Sequence, residues 1–277
     1  VSRIKILALD IDGTLLDPHF QISARNLAAL RRAHETGVEI ILGTGRRHAF
    51  AMPIAQALGF DVWLISSNGA VTKSTTGELF HRDLLPAPVA REFCAYMREF
   101  RHNTVITFDR EGKGAIIIES AEQLHLSIAR WMKSNEAFLD FAVPIENSLI
   151  DDPIQTMICG PIALMKAAEE RIKSAPFTDR ITLLKTQYEA RDLCILDVLN
   201  AECSKGHALR RWASYRGVAR DEVMAIGDNY NDIEMLEFAG VPFVMGNASD
   251  DIKQNGWPIT LPNDQSGVAA ALETVGI

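Results

Sequence analysis

Asp10 and Asp12 stand one residue apart in "LALDIDGTLLD", at the end of an apolar run. In an extended chain residues i and i+2 project to the same face, so these two carboxylates repel each other unless something positive lies between them. Three other stretches also place polar groups just beyond apolar runs. They are "GTGR" with Thr44, Gly45 and Arg46, "SNG" with Asn68, and "GDNYND" with Asp228, Asn231 and Asp232. Lys205 in "SKG" opens a helical pattern, where a cation opposes the helix dipole. Gathered in one place, these carboxylates, the hydroxyl and the lysine suit a hard divalent cation and a phosphate. Mg²⁺ takes a few protein oxygens and keeps waters, so Asp10, Asp228 and the main-chain carbonyl of Asp12 make a partial ligand set.

Each stretch also has a plainer reading. "DIDGT" can be a turn, or part of a calcium loop, although the further ligands and the glutamate of an EF-hand are absent. "GTGR" can be a loop with glycine at positive φ, "NG" a hairpin turn, and Asn231 or Asp232 a helix cap. Arg46 can equally touch a substrate or start a surface helix. Asn247 in "MGNA" reads as a loop-fixing residue. Only elements that bring the stretches together make them one site.

Those elements are readable. Residues 4–9 form a short apolar run, and Ser23 caps a helix through Leu27 and Leu30 that stops at Gly37. A strand over 38–42, a helix over 49–58 started or bent near Pro53, and a strand over 62–65 follow. After residue 203 the alternation resumes, with a helix over 204–215, a strand over 223–226, a helix over 233–238, a strand over 241–245 and a last helix after Ser266. Alternating strands and helices imply a Rossmann-like, doubly wound parallel sheet, whose functional crevice lies beyond the carboxyl ends of the strands. All four polar stretches fall there, and Lys205 starts the helix that leads into the fourth strand.

The middle of the chain reads differently. "SNGAVTKSTTGELFHRD" suggests a hairpin turning at Thr76 and Gly77, followed by an amphipathic helix with Val89, Phe93, Met97 and Phe100. Strands over 104–108 and 114–119, a helix with Leu124, Ile128 and Trp131, and a strand over 155–159 come next. A helix over 162–172 and strands over 182–186 and 193–199 complete the segment. Short connections between strands indicate an antiparallel sheet with helices on one side. The expected organisation is an α/β core of residues 1–83 and 200–277, interrupted by an α+β insert over 84–199.

At 277 residues the chain is long enough for such a core with an insert. A net charge of −8, with no long basic run, argues against nucleic acid or an anionic membrane surface as partner. The longest apolar runs are far shorter than a membrane span, and a cytoplasmic location is expected. Cys94, Cys159, Cys194 and Cys203 form no CxxC pair and read as buried free thiols. The seven histidines show no metal-pair spacing.

In order, "DIDGTLLD", "GTGR", "SKG" and "GDNYND" resemble the motifs of the haloacid dehalogenase-like hydrolases, and "SNGA" and "MGNA" resemble the Cof-type sugar-phosphatase branch. The resemblance implies a phosphatase of small phosphomonoesters, such as sugar phosphates or phosphorylated cofactor precursors, with the insert as a cap. It implies Asp10 as the nucleophile that forms an aspartyl-phosphate, and Asp12 as the acid for the leaving group and then the base for water. Thr44 and Lys205 would hold the phosphoryl oxygens, with Gly45, Arg46, Asn68 and Asn231 around the substrate. Asp10, Asp12 and Asp228 would hold Mg²⁺, with Asn231 and Asp232 orienting its surroundings. A phosphotransferase such as a phosphohexomutase, or a phosphate sensor without catalysis, are the other readings. The oligomeric state is expected to be monomer or homodimer.

Overall fold

The computed structural model describes residues 4–122 and 124–277. Contacts divide the chain into two compact units, one of Val1–Arg82 with Ser204–Ile277 and one of Asp83–Cys203. Asn200 Nδ2 donates to Asp83 Oδ1 at 2.8 Å, tying together the two chain segments where the second unit begins and ends. Residues 200–203 therefore group with the insert.

The first unit opens with β1 (Ile6–Asp10), α1 (Ala24–Glu35), β2 (Glu39–Gly43), α2 (His48–Gln56), β3 (Trp63–Ser66), β4 (Val71–Ser74) and β5 (Leu79–Arg82). The second unit contributes α3 (Ala87–Tyr96), β6 (Thr104–Thr107), β7 (Ile116–Ile118), α4 (Leu126–Ser134), β8 (Leu139–Phe141), β9 (Gln155–Gly160), α5 (Ile162–Lys173), β10 (Ile181–Tyr188) and β11 (Leu193–Asn200). The chain then returns to the first unit through α6 (Lys205–Arg216), β12 (Val223–Gly227), α7 (Ile233–Phe238), β13 (Val241–Val244), α8 (Asp250–Lys253) and α9 (Gly267–Thr274).

The core sheet runs β13-β12-β1-β2-β3-β4-β5. The first five strands are parallel, and the β4–β5 hairpin extends the sheet antiparallel. Parallel strands covered on both faces need apolar side chains at every position. That is why β1 is buried throughout. Leu7 and Leu9 pack in one apolar cluster with Leu30 of α1, Ala51 of α2 and Val268 of α9. Ile6 and Ala8 face the opposite cluster, with Leu209 and Trp212 of α6 and Met235 of α7. The doubly wound architecture follows directly.

Local signals placed the helices well, with instructive exceptions. Ser23 caps α1 by accepting from Asn26 N, and Gly217, at φ 63°, ends α6. Pro53 neither starts nor ends α2, which begins at His48 and runs through it. The amphipathic run from Val89 splits: α3 stops at Tyr96, and Phe100 lies in a 3₁₀ turn. Leu124 precedes α4 instead of joining it.

The insert's sheet has the order β10-β11-β9-β6-β7-β8. It is antiparallel except for β7 and β8, which pair in parallel. A parallel neighbour requires a crossover, and α4 supplies it. β8 is too short to stand out in the sequence. One sheet face carries Ile106, Phe108, Ile158, Leu196 and Val198 against Phe93 of α3 and Met165 and Ile172 of α5. All four cysteines are buried, and none is in a disulfide.

Candidate active site

The register of three parallel strands assembles the site. Asp10 at the end of β1 lies beside Gly43 at the end of β2, and Leu9 pairs with Ile226 of β12. The loops after these strands, carrying residues 11–14, 44–46 and 228–232, therefore leave one edge of the sheet together.

At the centre Lys205 is wholly buried. Its Nζ donates to Asp10 Oδ1 at 2.6 Å and to Asp232 Oδ1 at 2.7 Å. The expected conflict between a lysine and the start of a helix is resolved by these two carboxylates. Ser204 caps the same turn by accepting from His207 N, and its hydroxyl donates to Glu234 of α7. The second oxygen of Asp232 accepts from the main-chain N–H groups of Asp228 and Asn229, each at 3.0 Å. Asp232 thus shapes its own loop while it holds Lys205.

Asp228 is buried beside this pair, and Thr14 Oγ1 donates to its Oδ1 at 2.7 Å. Gly13, at φ 90°, lets the β1 loop pass here, since a Cβ would collide with the Asp228 carboxylate. Asn247 Nδ2 donates to Gly13 O at 2.8 Å, and its Oδ1 accepts from Asn263 N at 2.9 Å, so that residue ties loops together.

Asp12 behaves differently from Asp10. Arg46 grips it with two parallel bonds, Nε to Oδ2 at 2.7 Å and Nη2 to Oδ1 at 2.6 Å. The Asp12 side chain is 26% exposed and that of Arg46 30%, so this pair meets solvent. Thr44 lies buried nearby, its Oγ1 accepting from Arg46 N at 3.1 Å. Asn68, at φ 54°, donates its main-chain N–H to Thr44 O at 2.9 Å, while its Oδ1 accepts from Asn231 Nδ2 at 2.8 Å. Gly45 packs against Asn68, whose Oδ1 would lie 3.3 Å from a Cβ there.

The local pattern gave no role to one residue of the site. Thr14 follows the aspartates in the sequence, yet its bond to Asp228 depends on β1 lying beside β12, which no local pattern states. Of the residues expected around a metal, Asp10, Asp228 and Asp232 come together, with ligand oxygens all within 4.8 Å of one another. The Asp12 side chain instead engages Arg46, and the Asn231 amide nitrogen points to Asn68.

The donor chemistry fits a hard divalent cation. Asp232 is committed to Lys205 and to main-chain donors, whereas Asp10 and Asp228 each keep a second carboxylate oxygen with no hydrogen bond among the described residues. Burial pushes the Asp10 carboxyl up to about 8; Lys205 opposes the shift, and Asp232 and Asp12 add to it. Burial likewise raises Asp228 well above the ordinary carboxylate range, with Asp10 and Asp232 contributing. Burial also works against the charge on Lys205, but Asp10 and Asp232 outweigh it and hold the lysine protonated. One ammonium for three buried carboxylates leaves excess negative charge, which a bound cation offsets.

An open α/β sheet with a carboxylate and lysine cluster beyond its strand ends, interrupted by an α+β insert, defines a class of hydrolases. The family model of the haloacid dehalogenase-like hydrolases matches residues 7–272, and the chain belongs to that family. It is 30% identical over 285 residues to the phosphatase YwpJ of Bacillus subtilis, covering 96% of this chain and 98% of that protein. It is 32% identical over 264 residues to an HMP-PP phosphatase of Escherichia coli, covering 90% and 86%. A solved haloacid dehalogenase-like hydrolase from B. subtilis superposes with a TM-score of 0.81 at 27% identity, over 98% of this chain and 99% of the other. Among the described residues, no helix is long and apolar enough to cross a membrane.

Proposed function

We propose that the protein is a Mg²⁺-dependent phosphatase that hydrolyses small phosphomonoesters through an aspartyl-phosphate on Asp10. The observation that carries this reading is the buried ammonium of Lys205 locked between Asp10 and Asp232, with Asp228 alongside. The phosphatase names of its relatives support the same class.

In this reading an Asp10 oxygen attacks phosphorus while the bond to the ester oxygen breaks. Asp12 gives its proton to the departing alkoxide. Asp12, now a carboxylate, then takes a proton from the water that attacks the aspartyl-phosphate, releasing phosphate and restoring Asp10. Lys205 and the Thr44 hydroxyl hold phosphoryl oxygens, and the charge of Lys205 opposes the burial that raises the Asp10 pKa. Asp10, Asp228 and the Asp12 carbonyl would hold Mg²⁺, which would supply positive charge to the phosphoryl group. Asp232 positions Lys205, and Asn231 and Asn68 brace the loops around Thr44. Arg46 must release Asp12 before the acid step, which frees its guanidinium for the substrate.

The insert acts as the specificity module: it leaves the core after the β5 hairpin and rejoins it just before Lys205, so its second connection lies next to the site in sequence. The substrate is a small phosphorylated metabolite, and the protein works in the cytoplasm as a monomer or homodimer. A panel of sugar phosphates and phosphorylated cofactor precursors, assayed with Mg²⁺ and with chelator, tests the reading. Turnover that persists after chelation, or in purified Asp10→Asn protein, would overturn it.

A further inference from the structure

The insert contains a cavity of about 510 Å³ that uses none of the core residues discussed above. It lies between α3 with its trailing 3₁₀ turn and the segment around Ile145. Arg91, Arg98 and Arg101 line it together with Glu119 and Glu146. Cys94 and Ile145, both buried, line it from the apolar core.

The arrangement of charge is the informative feature. Among the described residues, no ion pair joins any of the three arginines to either glutamate, although all five line the same space. Their few bonds go elsewhere. Arg91 donates to Leu149 O, Arg101 Nε to Arg98 O at 3.1 Å, and Glu119 Oε1 accepts from Ile145 N at 2.9 Å. The Arg98 side chain has no hydrogen-bond or ion-pair partner among the described residues. Opposite charges lining one cavity without pairing favour a molecule carrying both signs. The volume suits a small metabolite. Thiol chemistry does not compete for the site, because burial, aided by Glu146 and Glu119, raises the Cys94 pKa and keeps the thiol protonated.

We propose that this cavity binds a zwitterionic metabolite, with a phosphate or carboxylate on Arg91, Arg98 and Arg101 and an ammonium on Glu119 and Glu146. The site is independent of the phosphatase reading, since every lining residue belongs to the insert.

Calorimetric titration of the full chain tests it with 2-aminoethylphosphonate, whose C–P bond the core chemistry does not cleave, with β-alanine, and with ethylphosphonate, which lacks the ammonium. Phosphonates also reach the Asp10 site, so the reading is the difference made by variants in the insert. Arg98→Ala/Arg101→Ala should weaken at least one of the two zwitterions tenfold or more, and the zwitterion affected separates a phosphate-type from a carboxylate-type ligand. Glu146→Gln should weaken that zwitterion by a similar factor while leaving ethylphosphonate unchanged. Both variants alter partly exposed side chains and should keep the parent's turnover of a small aryl phosphate, which also reports that they fold. Binding of both zwitterions that is insensitive to both variants, or ethylphosphonate lost in parallel with the zwitterion in Glu146→Gln, would overturn the proposal.

Discussion

The two aspartates of "DIDG" are neighbours in sequence and opposites in circumstance. Asp10 is buried and bound to a wholly buried lysine that a second carboxylate also grips. Asp12 is paired by one arginine at the margin of solvent. A charge sealed in a low-dielectric interior with several fixed partners cannot turn away without stranding one of them, which suits a group that must stay in place. A solvent-exposed ion pair exchanges partners at little cost, which suits a group that must gain and lose a proton. Strand β1 ends at Asp10 and Asp12 lies in the turn beyond it, so the tertiary environment gives the two carboxylates different partners.

That contrast can be broken most severely at the sealed end. Asp10→Asn keeps the shape and removes the nucleophile, so turnover should fall by on the order of 10⁴-fold or more. Its thermal midpoint should stay close to the parent's, since a neutral amide is easier to bury than a carboxylate. A fall in activity matched by loss of the folded transition would mean that Asp10 serves structure instead. Lys205→Met should abolish activity and also lower stability by about 3–5 kcal/mol, because Asp10 and Asp232 are left buried without their cation. Urea unfolding of the metal-free protein measures that loss, and an unchanged midpoint would show that the lysine is not what holds the cluster together.

At the exposed end the effects should be smaller and depend on the substrate. Asp12→Asn should slow alkyl phosphates by about 10²–10⁴-fold and an activated aryl phosphate much less, because a good leaving group needs little acid help. Equal losses on both would remove the proton-transfer role. Arg46→Ala should change folding stability by no more than about 1 kcal/mol, as for other exposed pairs. Its kinetic cost should appear mainly in KM, as expected for a guanidinium that turns to the substrate, and a loss confined to kcat would show that Arg46 acts only on Asp12.

Much of the candidate site could be read along the chain because its loops follow apolar strands, and the strand-and-helix alternation dictates that such loops share one edge of a parallel sheet. The residue types at those ends, from Asp10 and Asp12 to Asp228, with Lys205 at the start of a helix, therefore pointed to a site for a divalent cation and a phosphate. A local cap such as Ser23 was equally legible, since capping depends on residues only three apart. What no local pattern contained was the choice of partners. Arg46 looked as much a surface cation as a functional one until the β1–β2 register carried it to Asp12. Thr14 found Asp228, and Asn231 found Asn68, across separations that only strand order closes. The parallel β7–β8 pair, whose second strand is three residues long, likewise depended on the crossover helix and not on strand propensity. The sequence by itself determined which groups stand at the strand ends, because periodicity and capping are local. The tertiary structure decided which of them are sealed, which are paired and which remain free to move, because desolvation and ion pairing depend on neighbours that the chain brings together only when folded.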